Sequence, residues 1–244
     1  PIPGNVPSVG FEATSTSEWG GQMQLAGTDR VDPTVTVLMS SWACQSGTWY
    51  GQDCVTTIGT TFTHPITLNV YEVGTSDSVG TLITTKTDTL SMPYRPSADD
   101  TNCIDANAGK WFDGTTCYNG KAFTISFDLT GVTLPDKVII GVAYNTSNYG
   151  SNPIGTQPCN STPQGCPYDS LNVGTNPTPS VGTALPTVND TYLNSSWSGA
   201  YCPSDTTTGT FRLDAECWTG YLPAIKVEAQ PTPVPSPTNK DECE

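Results

Sequence analysis

The chain is short of positive charge, of histidine and of helical periodicity, and each shortage removes a class of function. Nine Lys and Arg stand against 23 Asp and Glu, a net charge of −14 over 244 residues. The basic residues, Arg30, Lys86, Arg95, Lys110, Lys121, Lys137, Arg212, Lys226 and Lys240, are scattered singly. Without a basic stripe nothing neutralises a phosphate backbone, which excludes nucleic acid as a partner. An anionic membrane surface is disfavoured for the same reason. No apolar run approaches the roughly 20 residues that span a bilayer as a helix. His64 is the single histidine and precedes Pro65. No G-x-S-x-G occurs, so a serine hydrolase centre lacks both its elbow and a free base; His64 is expected to be structural. Gly114–Lys121 fails as a phosphate loop, because its glycines are one residue too far apart and a strand pattern follows.

Cysteine, by contrast, is plentiful. Eight of nine form close-spaced couples: Cys44 and Cys54, Cys103 and Cys117, Cys159 and Cys166, Cys202 and Cys217. No CxxC knuckle is present and histidine is scarce, so disulfides are expected rather than zinc. Each couple lies within one loop, and sequential pairing follows as the expectation. Such a set implies folding in an oxidising, extracellular setting. Cys243 is left over beyond prolines 231, 233, 235 and 237, a stiff extended spacer. We expect the natural chain to continue past it, and the start at Pro1 without Met suggests a mature form.

Hydrophobic residues make up 35% and charged residues 13%, enough for one core. The patterning alternates. Val35, Val37 and Met39 share one face of 34–40, and Ile66, Leu68 and Val70 one face of 66–73. Phe123, Ile125, Phe127 and Leu129 are predicted to point inward from 122–129. Residues 137–144 read as a central strand and 224–229 as the last. Period-2 alternation with one buried face is the mark of an antiparallel sandwich. The stretches 40–62, 93–121, 144–167 and 174–208 read as long loops, a length that is often functional. We therefore expect an all-β chain, a jelly-roll-like or immunoglobulin-like sandwich. It would have a linker over 1–8, one domain over 9–229, and a Pro-rich spacer opening a Cys-containing segment over 230–244.

The stretches Glu18-Trp-Gly-Gly-Gln22 and Leu25-Ala-Gly-Thr-Asp-Arg30 resemble a segment of exported bacterial and archaeal β-sandwich domains of the surface-anchored kind. Gly21 stands where that group often has an acidic residue. Residues 64–71, 94–99, 143–150, 168–174 and 209–214 resemble the same group, as does Asn239-Lys-Asp-Glu-Cys243. The resemblance implies a jelly-roll-like sandwich in a secreted or cell-surface setting and carries no activity with it.

Candidate chemistry lies in the loops. Trp42, Trp49, Trp111, Trp197 and Trp218 each sit near a cysteine. They either pack on disulfides or offer flat faces for a sugar ring. Asp99, Asp100, Asp105 and Asp113 fall in one loop, hard oxygen ligands of the type that calcium selects. That loop is no EF-hand, since Lys110 and Thr116 replace its glycine and glutamate. Asp214 and Glu216, two apart beside Trp218, could share one strand face as paired carboxylates of a polysaccharide-active enzyme. Asn145, Asn160, Asn189 and Asn194 head N-x-S/T sequons.

The leading expectation is a non-catalytic surface module for adhesion or glycan binding, its partner a surface glycan or a neighbouring surface protein. Two alternatives stay open: a structural subunit of a surface layer or filament, whose edge strands add to neighbours, and a carboxylate-based enzyme.

Overall fold

A computed structural model describes residues 2–11, 14–144, 171–176, 178–185, 190–202, 207–214 and 221–233. The strands are β1 (Ser8–Gly10), β2 (Thr16–Gln24), β3 (Val31–Ser41), β4 (Thr61–Val73), β5 (Val79–Pro93), β6 (Trp111–Phe112), β7 (Cys117–Tyr118), β8 (Lys121–Asp128), β9 (Lys137–Ala143), β10 (Leu171–Gly174), β11 (Thr183–Leu185), β12 (Thr191–Ser195), β13 (Arg212–Asp214) and β14 (Ile225–Gln230). The only helical pieces among the described residues are single 3-10 turns.

Two antiparallel sheets face each other, as the alternation predicts. In the five-stranded sheet β3 is central. It pairs with β8 along its length, while β14 and β10 share its other side in succession and β1 adds to β10. The seven-stranded sheet runs β13-β12-β2-β9-β4-β5, with β11 also on β2. A small β6–β7 hairpin stands apart.

The inner faces are those that period-2 patterning marks. Val35, Val37 and Met39 of β3 and Phe127 of β8 meet Ile66, Leu68 and Val70 of β4 and Val138, Ile140 and Val142 of β9, all fully buried. Ile125 and Leu129 are buried with them, and Phe123 is partly buried at the rim. Burying a large aliphatic or aromatic side chain contributes about 1.5–3 kcal/mol, so this interior is the main source of stability.

Two strands depart from simple alternation. β2 is buried over most of its length. Its Trp19 faces the core and donates from Nε1 to Thr191 Oγ1, whereas Glu18, Gly20 and Gln22 lie on the opposite face. Behind it, Leu25–Arg30 forms a loop wound on its own guanidinium. Arg30 donates to the carbonyls of Ala26, Gly27 and Asp29 and pairs with Asp136 at 2.9 Å. Gly27 there has φ +62°, the left-handed conformation that suits glycine. This motif, part of the resemblance noted above, is thus accounted for as a self-bonded turn.

β2 and β9 approach closely because Gly20 has no side chain. A Cβ at Gly20 would stand 2.2 Å from the Ile140 carbonyl oxygen, a backbone atom that cannot step aside. Gly20→Ala is therefore expected to destabilise the fold by about 3 kcal/mol or more through overpacking. Gly21→Ala, whose Cβ meets only Pro223 at 3.3 Å, is the control. Thermal melts of both variants check the contrast: a large drop for the first and little change for the second.

Candidate functional site

The antiparallel registers gather the expected functional loops at one end of the sandwich. Ser41 of β3 is opposite both Lys121 and Leu171, and Thr61 of β4 is opposite Pro93 of β5. The loops 42–60 and 94–120 leave and re-enter there. Tyr144 spans the two sheets at this end, stacking on Phe11 with ring centroids 4.0 Å apart and donating its hydroxyl to the Leu171 carbonyl.

Each of these two loops carries a disulfide within itself, Cys44–Cys54 and Cys103–Cys117. Sequential pairing holds for both. Cys202 is also disulfide-bonded. Cys159, Cys166, Cys217 and Cys243 lie outside the described residues, as do Trp218, Glu216, Asn145, Asn160 and Asn189.

Between the two loops runs an open cleft of about 700 Å³, lined among others by Tyr94, Asp99, Asp100, Trp111, Phe112 and Lys121. Its wall, Pro96 to Asp99, is bonded to both stapled loops. Ala98 N–H donates to the Cys54 carbonyl, Cys103 N–H to the Asp99 carbonyl, and Asp99 N–H to the Lys110 carbonyl, each at 2.9 Å. Ser97 Oγ accepts from Thr56 N–H at 2.8 Å and donates to the Thr56 carbonyl at 3.1 Å. Thr56, Thr60 and Thr61 add hydroxyls, and Ile58, 99% exposed, stands on the rim.

The tryptophans divide between packing and surface. Trp111 is 6% exposed; it lines the cleft by an edge, donates from Nε1 to the Gly120 carbonyl, and lies under the Lys121 ammonium at 5.4 Å. Trp42 and Trp49 are half-buried and meet edge to face at 4.8 Å, with Trp42 Nε1 donating to Ser40 Oγ. A Cβ at Gly120 would strike Trp42 at 2.2 Å, so the Trp42 and Trp111 rings close on one glycine. Trp197 is 52% exposed, beside β12. The half-buried aromatics of the cleft wall are Tyr94 and Phe112, which the sequence did not single out.

The acidic loop is a set of turns. Asp99 accepts the Thr101 and Asn102 backbone N–H groups on Oδ1 and the Asn102 amide on Oδ2. The Asn102 amide and backbone bonds, with that of Thr101, hold its carboxyl below the usual range. Asp113 is likewise lowered, by the Thr116 N–H first and then the Thr115 N–H and hydroxyl. Asp105 opens a 3-10 turn with φ +54° and Asp100 is exposed. Among the described residues no three His, Cys, Asp or Glu side chains are grouped to hold a metal.

Asp214 is buried at 2% exposure, both oxygens accepting the Cys202 backbone N–H. Asn194 is half-buried in β12, opposite Glu18. His64 is buried at the core edge, its ring perpendicular to that of Tyr144, and burial lowers its pKa. It is structural in placement, as expected, although its Nδ1 finds no hydrogen-bond partner.

Two buried groups escaped the sequence reading. Arg95 is fully buried. Its backbone N–H donates to the Ala43 carbonyl, its Nε to the Pro96 carbonyl and its Nη2 to the Gly109 carbonyl at 2.7 Å. Burial pushes its pKa down to about 10. Glu18 lies on the outer face of the larger sheet, where its Oε1 accepts from Asn69 Nδ2 and the Tyr71 hydroxyl, both at 2.9 Å. Gly141 leaves it room, since a Cβ there would meet Oε1 at 2.2 Å. The shared face of Glu18 and Gln22, with glycine between them, was the available signal for this cluster; for Arg95 there was none.

Comparison with protein-family models, with curated proteins and with solved structures returns no match.

Two outcomes follow. Arg95→Ala orphans two carbonyls and opens a cavity beneath the cleft, so it is expected to cost about 2–4 kcal/mol in denaturant melts. Glu18 has its pKa raised by burial, against the opposing bonds from Asn69 and Tyr71. A raised carboxyl contributes stability fully below its unfolded pKa of 4.5, and that contribution is lost as pH rises through the folded value. Glu18→Gln keeps an acceptor without the charge. It is expected to raise the melting temperature at pH 7–8 and to lose that advantage near pH 4; melting curves across pH check the sign.

Proposed function

We propose that the chain is a non-catalytic extracellular surface module of the exported β-sandwich kind, and that it binds glycan in the cleft between its two stapled loops. The observation that carries the reading is the cleft's composition. Aromatic walls from Tyr94 and Phe112 flank carboxylates of Asp99 and Asp100 and a row of threonine hydroxyls. A sugar ring presents apolar C–H faces and a rim of hydroxyls, which such a mixture of rings and acceptors matches. The disulfides hold the walls before ligand arrives, which lowers the ordering cost of binding. The large negative charge and the two cleft carboxylates favour neutral sugars over uronic or sulfated ones.

The binding reading is preferred to catalysis on one point. The described member of the candidate carboxylate pair, Asp214, is spent on a backbone N–H and buried.

The test is to incubate intact oxidised protein with insoluble polysaccharides and cell-wall fractions, measuring protein retained and sugar released. Retention of the native protein without release is expected. Tyr94→Ala and Phe112→Ala should each weaken retention about tenfold, the size of a lost ring contact. Release of sugar would replace the reading with an enzymatic one. Retention that neither variant alters would remove the cleft from the account.

A further inference from the structure

We propose that β5 is an interface on which a second copy of this chain pairs, antiparallel, about a two-fold axis through Thr87. The proposal is independent of the cleft and of what the cleft binds.

Among the described residues β5 pairs with β4 alone, so it ends the larger sheet. At 15 residues it is the longest strand, and an unpaired edge of that length offers a continuous row of backbone donors and acceptors. Which residues offer them follows from two prolines. Pro93 is opposite Thr61, and Pro65 is opposite Thr89. Proline cannot exchange both bonds of a hydrogen-bonded pair, so these are the non-bonded pairs of the ladder. The Tyr94 N–H donating to the Thr60 carbonyl continues the same alternation. Even-numbered residues of this stretch bond to β4. Thr85, Thr87, Thr89 and Ser91 aim their N–H and C=O groups at the open edge, and all four are exposed.

Natural edges are blunted with proline, bulges or charged side chains. Here the bulges fall near the start of β5, opposite Val70 to Val73, and Pro93 closes its end. Between them stand one cation and one anion, Lys86 and Asp88, 3.7 Å apart on the same face of the strand. Lys86 also donates to the Asp128 carbonyl of β8. Both side chains are 35% exposed.

That charge pattern selects a partner and a register. A two-fold through Thr87 brings Thr87 against its own counterpart and Thr85 against the partner's Thr89, all outward-aimed and therefore hydrogen-bonded. Lys86 then faces the partner's Asp88 in the closer, non-bonded pair, and Asp88 faces the partner's Lys86. Centring on Lys86 or Asp88 sets like charges together, and centring on Thr85 or Thr89 leaves both charges opposite uncharged residues. Opposite charges and threonine pairs directly across an antiparallel ladder are both favourable. The sheet already uses such a pair, Thr67 Oγ1 with Thr87 Oγ1 at 2.7 Å. The contact is self-complementary, as a two-fold interface requires.

Sedimentation of the full oxidised chain over a concentration series tests this. Wild-type protein is expected to dimerise reversibly. Lys86→Asp and Asp88→Lys should each weaken the dimer by about tenfold, since two attractive pairs become repulsive. Mixing the two single variants should restore association as a heterodimer, and the double swap should restore it as a homodimer. These recoveries cannot come from a folding defect. A wild type that stays monomeric up to about 1 mM, a range that would capture even weak pairing, would overturn the proposal. So would a dimer that none of the charge variants alters.

Discussion

Sheet and site both depend on Arg95, the second residue after β5. It is fully buried and has no carboxylate partner among the described residues. Its Nε and Nη2 donate to carbonyls of its own loop, those of Pro96 and Gly109, its Nη1 has no hydrogen-bond partner among the described residues, and its backbone N–H bonds the loop before β4. A buried cation without a counter-ion is costly. Carbonyl dipoles from two segments offset part of that cost only if both segments stay in place. The cleft wall and the Gly109 turn are thereby coupled to a single side chain, and the backbone N–H of the same residue reaches the Cys44–Cys54 loop. The disulfides then restrict each loop internally, by about 2–4 kcal/mol apiece where such bonds are measured, without joining one loop to the other. The backbone N–H groups of Arg95 and Ala98 and the Ser97 hydroxyl make the join.

The sandwich supplies the platform for this arrangement. Its core of aliphatic and aromatic side chains is buried, and Gly20 and Gly141 let backbone and the Glu18 carboxylate approach where a methyl would not fit. Because every pairing is antiparallel, alternate connections must emerge at the same end. The long ones, 42–60 and 94–120, do so side by side. A cleft between loops anchored on rigid strands is a common way for an all-β domain to present a binding surface. Disulfides of the kind found here also require an oxidising place of folding, and no helix among the described residues is long and apolar enough to cross a membrane.

How much of this was legible depends on what each residue had to satisfy. β3, β4 and β8 bury one face each, so alternation announced them, and β9, buried along most of its length, announced itself by a continuous apolar run. Close spacing announced the two disulfides seen. β5 was silent: it is an edge with little to bury, and a run of threonine carries β-propensity but no contrast between faces. β2 was silent for the opposite reason, buried on both sides, with Trp19 inward and Glu18, Gly20 and Gln22 outward. β12 was hidden within an expected loop, a short strand completed only by pairing with β2 and β13. At the site, the tryptophans attracted notice because large rings near cysteines are conspicuous. Packing claimed Trp111 for the interior and turned the cleft wall over to Tyr94 and Phe112. Arg95 looked like any surface arginine, since its partners lie more than ten residues away in sequence, Ala43 in the other loop and Gly109 in its own. The acidic residues of the 99–113 loop were visible as charge, while their use as turn caps rests on backbone geometry that composition does not contain.

We propose that the stapled end of the sandwich is a preformed sugar site. Titrating isotopically labelled, oxidised protein with soluble neutral oligosaccharides, and following its backbone amide resonances, tests this directly. The account predicts saturable shifts confined to residues 56–61, 94–101 and 111–121, with the rest of both sheets unmoved. Saturable shifts centred elsewhere, or no saturable shift with any oligosaccharide, would contradict it.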